Sequence, residues 1–275
     1  MDSFEFNKIA AAVLVTILLV IGIKEVAVLR FTKHMKTAII IPSHLQAKRL
    51  PNKPLLLINN EPMILHVWRQ AKKTNIGSVI VATSDKEIFD VITSHGGSAI
   101  ITNNNHTNGS DRIFEAVETL EDKPELIINV QGDMPLIKPE AIIHLEKFMK
   151  TNSSEMGTLA SKLNEKDVSN PNVVKVETQQ ELKLGSFSQA VDFFRIKEQK
   201  SKNLYHHVGI YAYQYSILKN YVGLHKTKNE LERSLEQMRA LDNSIKIQVG
   251  FIQDYPLGVD TQEDLEQIRL LYNEK

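Results

Sequence analysis

Short apolar segments that are rich in β-branched residues alternate with segments of helical character along the first part of the chain. The predicted strands are Thr37–Pro42, Ser78–Ala82, Ser98–Ile101 and Glu125–Val130. The predicted helices are Pro62–Lys73, Asp85–Ser94, Asn108–Leu120 and Pro139–Met149. Because neighbouring parallel strands are joined by a crossover connection, usually a helix, this alternation predicts a mostly parallel sheet flanked by helices.

The later part of the chain has a less regular pattern. It predicts strands at Thr158–Leu163, Val173–Glu177, Glu181–Phe187, His207–Tyr213 and Ile245–Gly250. It predicts helices at Ser216–Val222, Glu230–Leu241 and Thr261–Leu271. Several strands follow one another without an intervening helix, which indicates antiparallel pairing. We therefore predict one α/β domain over residues 36–275, a doubly wound sheet with a small inserted β subregion.

The overall composition excludes several classes of protein. Lysine and arginine together number 33, and so do aspartate and glutamate, so no excess of positive charge favours nucleic-acid binding. The chain contains no cysteine, which excludes disulfide bonds and thiolate metal sites. Its nine histidines do not show the spacing that is typical of zinc sites.

An apolar stretch without charged residues covers Ile9–Ile23 and can be extended to Leu29. The uninterrupted part is slightly short for a membrane-spanning helix, which needs about 20 apolar residues. Basic residues are enriched after it, so we predict a membrane anchor at 9–29 in a separate segment, 1–35, and a cytoplasmic location for the rest of the chain. The alternatives are a fused fragment or a mis-called start; if Met35 is the true start, the whole protein is cytoplasmic.

The first predicted strand leads into a loop that carries Lys48, Arg49 and Lys53. Ligands of open α/β sheets bind at the carboxyl ends of the strands, so this loop indicates a site for a polyphosphate. Arg49 can hold phosphate oxygens with two parallel hydrogen bonds, and Lys53 can neutralise charge on a leaving pyrophosphate. The alternative is a surface loop with solvated cations.

Aspartate closely follows a glycine in Gln131-Gly132-Asp133, after the fourth predicted strand, and again in Gly258-Val259-Asp260. Carboxylate and phosphate oxygens are the ligands that Mg²⁺ prefers, so Asp133 and Asp260 are candidate metal ligands. The alternatives are a turn before Pro135 for Asp133 and a helix N-cap for Asp260.

Three other places could belong to the same site. Gly109-Ser110-Asp111-Arg112 begins a predicted helix, whose backbone N–H groups can bind an anion or a base edge; a plain helix start is the alternative. His207 lies on an alternating strand, where an interior histidine is the alternative. Glu236 and Gln237 could equally form an ordinary exposed helix face.

Taken together, these motifs resemble the 3-deoxy-manno-octulosonate cytidylyltransferases (CMP-Kdo synthetases), which have a Rossmann-like sugar nucleotidyltransferase fold. The resemblance covers nearly all of residues 36–275. Eight motifs carry it in order: IIPS with RLPNKPL (40–55), VAT (81–83), NGSDR (108–112), VQGDMP (130–135), NPNVVKV (170–176), HVGIYAY (207–213), LEQMR (235–239) and GVDTQEDL (258–265).

The resemblance implies that CMP is transferred from CTP to the anomeric hydroxyl of Kdo, with release of pyrophosphate, for lipopolysaccharide synthesis. It implies a nucleotide site made of Pro42, Ser43, Arg49, Lys53, Asn108, Gly109, Ser110 and Arg112, with Lys53, Arg49 and Asp133 as the catalytic residues. It implies a sugar pocket made of Gln131, His207, Tyr211, Glu236 and Gln237. It also implies Mg²⁺ bound to Asp133 and Asp260, a homodimer and, with the anchor, attachment to the inner membrane.

The chain departs from the family pattern at three positions. Many members have arginine where this chain has His44, glutamate where it has Met134, and arginine where it has Gln189. The third arginine is expected near the sugar carboxylate, and an amide cannot replace its charged fork. The exact sugar acid therefore stays open, with a modified Kdo or a sialic-type acid as alternatives. A weakened, membrane-tethered nucleotide-binding protein is the alternative from another class.

Overall fold

The computed structural model describes residues 35–46, 49–106, 108–196 and 202–273. The predicted anchor at 9–29 lies outside these ranges. Among the helices inside them, none combines the length and the apolar character that crossing a bilayer requires.

The structure contains strands and helices in alternation, as the sequence predicts. The strands are β1 (Thr37–Ser43), β2 (Leu57–Ile58), β3 (Glu61–Pro62), β4 (Ser78–Thr83), β5 (Ser98–Ile101), β6 (Leu126–Asn129), β7 (Met156–Lys162), β8 (Lys175–Thr178), β9 (Phe187–Phe194), β10 (Leu204–Gln214) and β11 (Ile247–Phe251). The α-helices are α1 (Met63–Lys73), α2 (Lys86–Ser94), α3 (Gly109–Glu118), α4 (Pro139–Asn152), α5 (Tyr215–Gly223), α6 (Lys228–Arg233), α7 (Met238–Asp242) and α8 (Gln262–Asn273). Single 3-10 turns form at Lys53–Leu55 and Glu165–Asp167.

Nine of the strands form one sheet in the order β5-β4-β1-β6-β10-β7-β11-β9-β8. The pairs β5–β4, β4–β1, β1–β6 and β7–β11 are parallel, whereas β10 runs antiparallel to β6 and β7. The predicted α/β fold, with helices flanking a sheet, is therefore confirmed. The sheet is mixed rather than mostly parallel, because β10 with β6, β7 and β8, and β9 with β8 and β11, pair antiparallel. Strands β1, β6 and β11 all end at the same edge of the sheet, which brings the loops after them together.

The centre of the sheet is fully buried because helices cover it. All seven residues of β1 are buried, and Ile39, Ile40 and Ile41 have no exposed surface. A strand that is buried on both faces needs a continuous β-branched run rather than an alternating one, which is what this segment contains. Each of these side chains contributes about 1.5–3 kcal/mol through burial.

The predicted antiparallel excursion exists, but its strands join the main sheet. Strand β8 pairs with both β9 and β10, so β10, β7, β11, β9 and β8 close into a ring of paired strands. The predicted strand Glu181–Phe187 is wrong. Gly185 has a φ of 81° there, Ser186 N donates to Lys183 O, and β9 begins only at Phe187.

The predicted single helix Glu230–Leu241 is also wrong. Ser234 adopts the left-handed conformation with a φ of 52° and ends α6, and α7 begins at Met238. A capping box at Thr227 and Glu230 starts α6. Glu236 and Gln237 lie in the turn between the two helices and Gln237 is buried, so the alternative of an exposed helix face is wrong as well.

Candidate active site

A cavity of about 340 Å³ opens at the carboxyl ends of β1 and β6. We call it the strand-end cavity. Ten residues that the sequence predicts as site residues line it: Pro42, Ser43, Arg49, Lys53, Asn108, Gly109, Arg112, Gln131, Asp133 and Asp260. It is within the usual size range of small-molecule sites, which begins at about 300 Å³.

Four charged side chains meet in this cavity and form what we call the carboxylate–cation cluster. Lys53 Nζ lies 2.7 Å from Asp133 Oδ2 and 3.2 Å from Asp260 Oδ1. Arg49 Nη2 lies 2.8 Å from Asp260 Oδ2. Three separate loops therefore contribute to one cluster of alternating charge.

Lys53 is the most enclosed member of the cluster, with 15% of its side chain exposed. Burial by itself lowers the pKa of Lys53, but the charges of Asp133 and Asp260 and their hydrogen bonds outweigh it, so the net shift is upward. Lys53 is therefore a permanent cation at neutral pH, which suits a group that stabilises phosphate charge.

The arrangement of the two aspartates fits a divalent cation. Both carboxylates reach the same lysine nitrogen, so they lie close enough to contact a single ion. Within the described ranges, no group of three or more histidine, cysteine or acidic side chains could hold a metal by itself. Mg²⁺ is usually bound through one or two carboxylates plus substrate phosphates and water, which is the donor set that this site could provide.

The beginning of α3 also lines the cavity. Asp111 N donates to Asn108 Oδ1 at 2.8 Å, so Asn108 caps the helix. A Cβ on Gly109 would lie 3.4 Å from Pro42 Cγ, so the helix start packs closely against the end of β1. Arg112 is 3% exposed and donates to Thr102 Oγ1 at 2.6 Å, which fixes its guanidinium at the cavity.

Ser43 is 5% exposed and ends β1 beside the cluster. Its Oγ is buried and has no hydrogen-bond partner among the described residues. Buried hydroxyl groups are nearly always hydrogen-bonded in folded proteins. Since Ser43 lines the cavity, a bound ligand is the natural partner for this hydroxyl.

Most of the predicted sugar-pocket residues do not line the strand-end cavity. Gln131 does, and its Nε2 donates to Gly209 O at 3.2 Å, in the irregular part of β10 between Val208 and Tyr211. His207 Nε2 lies 3.1 Å from Thr158 Oγ1, and burial lowers the pKa of His207 to about 3. The Tyr211 hydroxyl is buried and has no hydrogen-bond partner among the described residues.

Glu236 and Ser110 connect the turn before α7 with the start of α3. Their side chains are hydrogen-bonded, and burial raises the pKa of Glu236 against the opposing effects of Ser110 and Arg239. Tyr221 OH donates to Glu236 O at 2.8 Å, and the neighbouring Gln237 is 7% exposed. Ser110 therefore contacts Glu236, a predicted sugar-binding residue, and does not line the strand-end cavity.

The three departures from the family pattern lie in different surroundings. His44 lines the cavity, and partial burial followed by the charge of Arg112 lowers its pKa. Met134 is 6% exposed, directly after Asp133. Gln189 lies in β9 opposite Gln248 of β11 and does not line the cavity.

Sequence reasoning did not single out Gly132 and His106 as residues of the cavity, although both line it. A Cβ on Gly132 would lie 2.9 Å from Pro42 O, so this position requires glycine. His106 contacts Glu115 of α3. The glycine between Gln131 and Asp133 was a usable signal, whereas His106 stands in a polar loop without a distinguishing pattern.

An open α/β sheet binds ligands at the carboxyl ends of its strands, and a carboxylate–cation cluster there suits metal-assisted chemistry on a phosphate compound, as in a nucleotidyltransferase. Comparison with known proteins agrees with this class. A family model described as "Cytidylyltransferase" matches residues 38–247. A 3-deoxy-manno-octulosonate cytidylyltransferase from Paramagnetospirillum magneticum is 41% identical over 85% of this chain and 96% of its own length. One of the same name from Thermodesulfovibrio yellowstonii is 44% identical over 84% and 96%.

Solved structures agree as well. A structure described as CMP:2-keto-3-deoxy-manno-octonic acid synthetase complexed with CTP has a TM-score of 0.80 and 33% identity, and the match covers 87% of this chain and 99% of that one. A cytidylyltransferase from Leptospira borgpetersenii, with a TM-score of 0.60 and 18% identity over 88% of both chains, shares the fold. The chain belongs to the cytidylyltransferase family, among the 3-deoxy-manno-octulosonate cytidylyltransferases.

Proposed function

We propose that this protein transfers CMP from CTP to the anomeric hydroxyl of 3-deoxy-D-manno-octulosonate (Kdo) and releases pyrophosphate. The product is the activated form of Kdo for lipopolysaccharide synthesis. The observation that carries the proposal is the carboxylate–cation cluster at the strand ends, in a chain that is 41% and 44% identical to two proteins named for this activity.

The nucleotide is expected to lie in the strand-end cavity. Arg49 and Lys53 would bind its phosphates, and the start of α3 offers N–H groups together with the buried guanidinium of Arg112. The Ser43 hydroxyl would gain the hydrogen-bond partner that it lacks within the described residues. These contacts hold the α-phosphorus in a fixed position for attack.

The reaction forms a bond between the anomeric oxygen and the α-phosphorus and breaks the bond to the pyrophosphate oxygen, while the proton of the hydroxyl passes to solvent. Lys53 and Arg49 stabilise the negative charge that develops on the leaving pyrophosphate. Asp133 and Asp260 would hold Mg²⁺, which supplies charge neutralisation when bound. The rate enhancement then comes from positioning and electrostatic stabilisation.

The sugar is expected beside Gln131, toward the irregular part of β10 and the turn that carries Glu236 and Gln237. The contact between Gln131 Nε2 and Gly209 O supports this placement, because it links the cavity wall to β10. The neutral amide at Gln189 does not provide the charged fork of an arginine, so contacts to the sugar carboxylate would differ from those of most relatives.

Pyrophosphate release from CTP and Mg²⁺ tests the proposal, with Kdo and N-acetylneuraminate supplied in parallel. Release with Kdo alone is the expected result. Release with N-acetylneuraminate alone would reassign the sugar to the sialic type. If CTP binds but neither sugar gives pyrophosphate, either the substrate is another 2-keto-3-deoxy acid, such as a modified Kdo, or the protein has lost the reaction.

Two features of assembly and location belong to the proposal as well. A homodimer is expected from the family resemblance, and light scattering would measure its mass. Attachment to the inner membrane through residues 9–29, with residues 36–275 in the cytoplasm, is supported by the apolar sequence of that stretch and the basic residues after it.

A further inference from the structure

Lys53 and Arg49 occupy the carboxylate oxygens that the proposed function assigns to a metal ion. Lys53 Nζ contacts Oδ2 of Asp133 and Oδ1 of Asp260, and Arg49 Nη2 contacts the remaining oxygen of Asp260. The two aspartates carry two negative charges, and the two cations balance them. A divalent ion that approaches this cluster therefore meets no net negative charge.

The two cations do not contribute equally. The Lys53 side chain is 15% exposed and contacts both carboxylates, whereas Arg49 is 60% exposed and contacts one. Exposed ion pairs are screened by water and contribute little, so Lys53 is the main barrier to a metal ion. Its ammonium group would repel a metal ion at short range in a partly desolvated site.

A triphosphate changes this balance, because its oxygens compete with the aspartates for the same two cations. When Lys53 and Arg49 turn to phosphate oxygens, the oxygens of Asp133 and Asp260 become available, and the phosphates add further metal ligands. Binding of the triphosphate therefore makes the carboxylates available to the metal ion, and binding of the metal ion makes the two cations available to the phosphates.

We propose that Lys53 and Arg49 couple metal binding to nucleotide binding, by pairing with Asp133 and Asp260 until phosphates take their place. The inference rests on the proposed function, since it uses the same two aspartates as metal ligands. The protein alone binds a divalent metal weakly, and nucleotide raises that affinity. By thermodynamic linkage, the metal raises the affinity for nucleotide by the same factor.

Binding of Mn²⁺ to the full-length protein without nucleotide tests the coupling, with free Mn²⁺ measured by electron paramagnetic resonance. Lys53→Met removes the charge and keeps much of the side-chain volume. We expect it to bind Mn²⁺ at least about tenfold more tightly than the unmodified protein, because a cation next to the two carboxylates is gone. Adding Asp133→Asn to Lys53→Met should remove that gain.

Lys150→Met is the matched control. Lys150 pairs with Glu146 at 2.6 Å and is 13% exposed, so it resembles Lys53 in charge, pairing and burial. Glu146 in turn contacts Thr37 at the amino-terminal end of β1, away from the strand-end cavity. We expect Mn²⁺ affinity to stay unchanged in this variant.

Water-proton relaxation in the presence of CTP gives the second measurement, since it distinguishes protein-bound from nucleotide-bound Mn²⁺. CTP should raise Mn²⁺ affinity strongly in the unmodified protein and much less in Lys53→Met. Equal Mn²⁺ affinity of Lys53→Met and the unmodified protein without nucleotide would overturn the inference. If Lys53→Met does not fold, as judged by thermal unfolding, Lys53→Gln takes its place. No sugar is used, so the outcome is independent of whether Kdo is the substrate.

Discussion

Asp133 and Asp260 are far apart in the sequence, yet both reach the Nζ atom of Lys53, at 2.7 Å and 3.2 Å. Each aspartate lies in its own loop, and the loops are joined by a hydrogen bond of 2.9 Å from Val259 N to Asp133 O. The distance between the carboxylates is therefore set by a pair of connected loops.

Replacing either aspartate with asparagine should abolish most turnover. Asp133→Asn and Asp260→Asn each remove one negative charge from the proposed metal site, so we expect pyrophosphate release to fall about 10²-fold or more. Asp254→Asn is the control, because Asp254 is an exposed aspartate that pairs with Lys138 outside the cavity. Near-native turnover of either cluster variant at ordinary Mg²⁺ concentration would contradict the metal assignment.

His207 contributes a pH dependence to stability. Burial, followed by the neighbouring His206, lowers the pKa of His207 to about 3, and burial lowers that of His206 to about 4. An unfolded histidine has a pKa near 6.5, so below that pH the unfolded chain binds protons that the folded chain does not. The contribution of these two histidines to the free energy of unfolding is therefore fully present above about pH 6.5, and it is lost as the pH falls toward 3.

The His207→Asn variant tests this dependence. The free energy of unfolding by urea should fall between pH 6.5 and 5 in the unmodified protein, where most carboxylates are still ionised. We expect the variant to lower that slope by about 1 kcal/mol per pH unit, the contribution of one histidine. An exposed histidine, His225, provides the control substitution. An unchanged slope in His207→Asn would mean that other groups carry the effect.

At the level of secondary-structure elements, Gly132 determines how the loop after β6 approaches β1. A Cβ at this position would lie 2.9 Å from Pro42 O, a backbone atom that cannot rotate away. We expect Gly132→Ala to displace the loop with Asp133 and to lower kcat/KM by about tenfold or more, at a stability cost of about 1–3 kcal/mol. Gly223→Ala is the control, because a Cβ there would meet no heavy atom within 4 Å apart from its chain neighbours and the backbone of its own helix.

Helices α6 and α7 are held together by a buried ion pair. Arg239 donates to the two carboxylate oxygens of Glu230 at 2.8 Å and 2.6 Å, and the side chains are 3% and 8% exposed. The turn between these helices carries Glu236 and Gln237. The ion pair therefore stabilises the position of this turn, which carries two of the predicted sugar-binding residues.

Arg239→Met should lower the free energy of unfolding by about 3–5 kcal/mol, because it leaves the buried Glu230 carboxylate without its partner. Urea unfolding would measure the loss. Lys86→Met, which breaks the exposed pair with Asp90, should cost less than about 1 kcal/mol. If both substitutions lower the free energy of unfolding by a similar amount, the buried pair contributes no more to stability than the exposed one.

Local patterns were sufficient to predict most elements of the sheet. Strand β5 has the predicted bounds, Ser98–Ile101, and β1 extends the prediction by Ser43 alone. These segments carry continuous apolar runs that end at turn residues, so the first and last residues of the two strands can be located from the sequence alone. The residues after β1 and β6 could therefore be placed at one edge of the sheet.

Two predicted elements are wrong because their local signals are misleading. Residues 181–187 alternate apolar and polar side chains, but the turn at Gly185 leaves Leu184 74% exposed instead of in a strand. Ser234 ends α6 in a left-handed conformation without a glycine or proline to indicate it. The pairing of Lys53 with both aspartates depends on three loops and has no local signal either.

At the scale of the whole molecule, the sheet joins two different kinds of strand pairing. The parallel part, β5-β4-β1-β6, presents most loops of the strand-end cavity, and the loop with Asp260 follows β11. The ring of β10, β7, β11, β9 and β8 carries His207, Tyr211 and Gln189. Strand β10 belongs to both parts because it pairs with β6 and with β7. The proposed nucleotide and sugar sides thus lie on two parts of one sheet.

All residues that line the strand-end cavity lie between Pro42 and Asp260. We therefore expect a variant that begins at Met35 to release pyrophosphate with the same kcat as the full chain. Membrane fractionation of the two forms tests the anchor separately: the full chain should sediment with membranes and the shortened one should not, because it lacks the apolar residues 9–29. If both forms stay in the supernatant, the anchor prediction is wrong. If the shortened form folds but loses turnover, residues 1–34 take part in the chemistry, and the catalytic unit is larger than the strand-end cavity indicates.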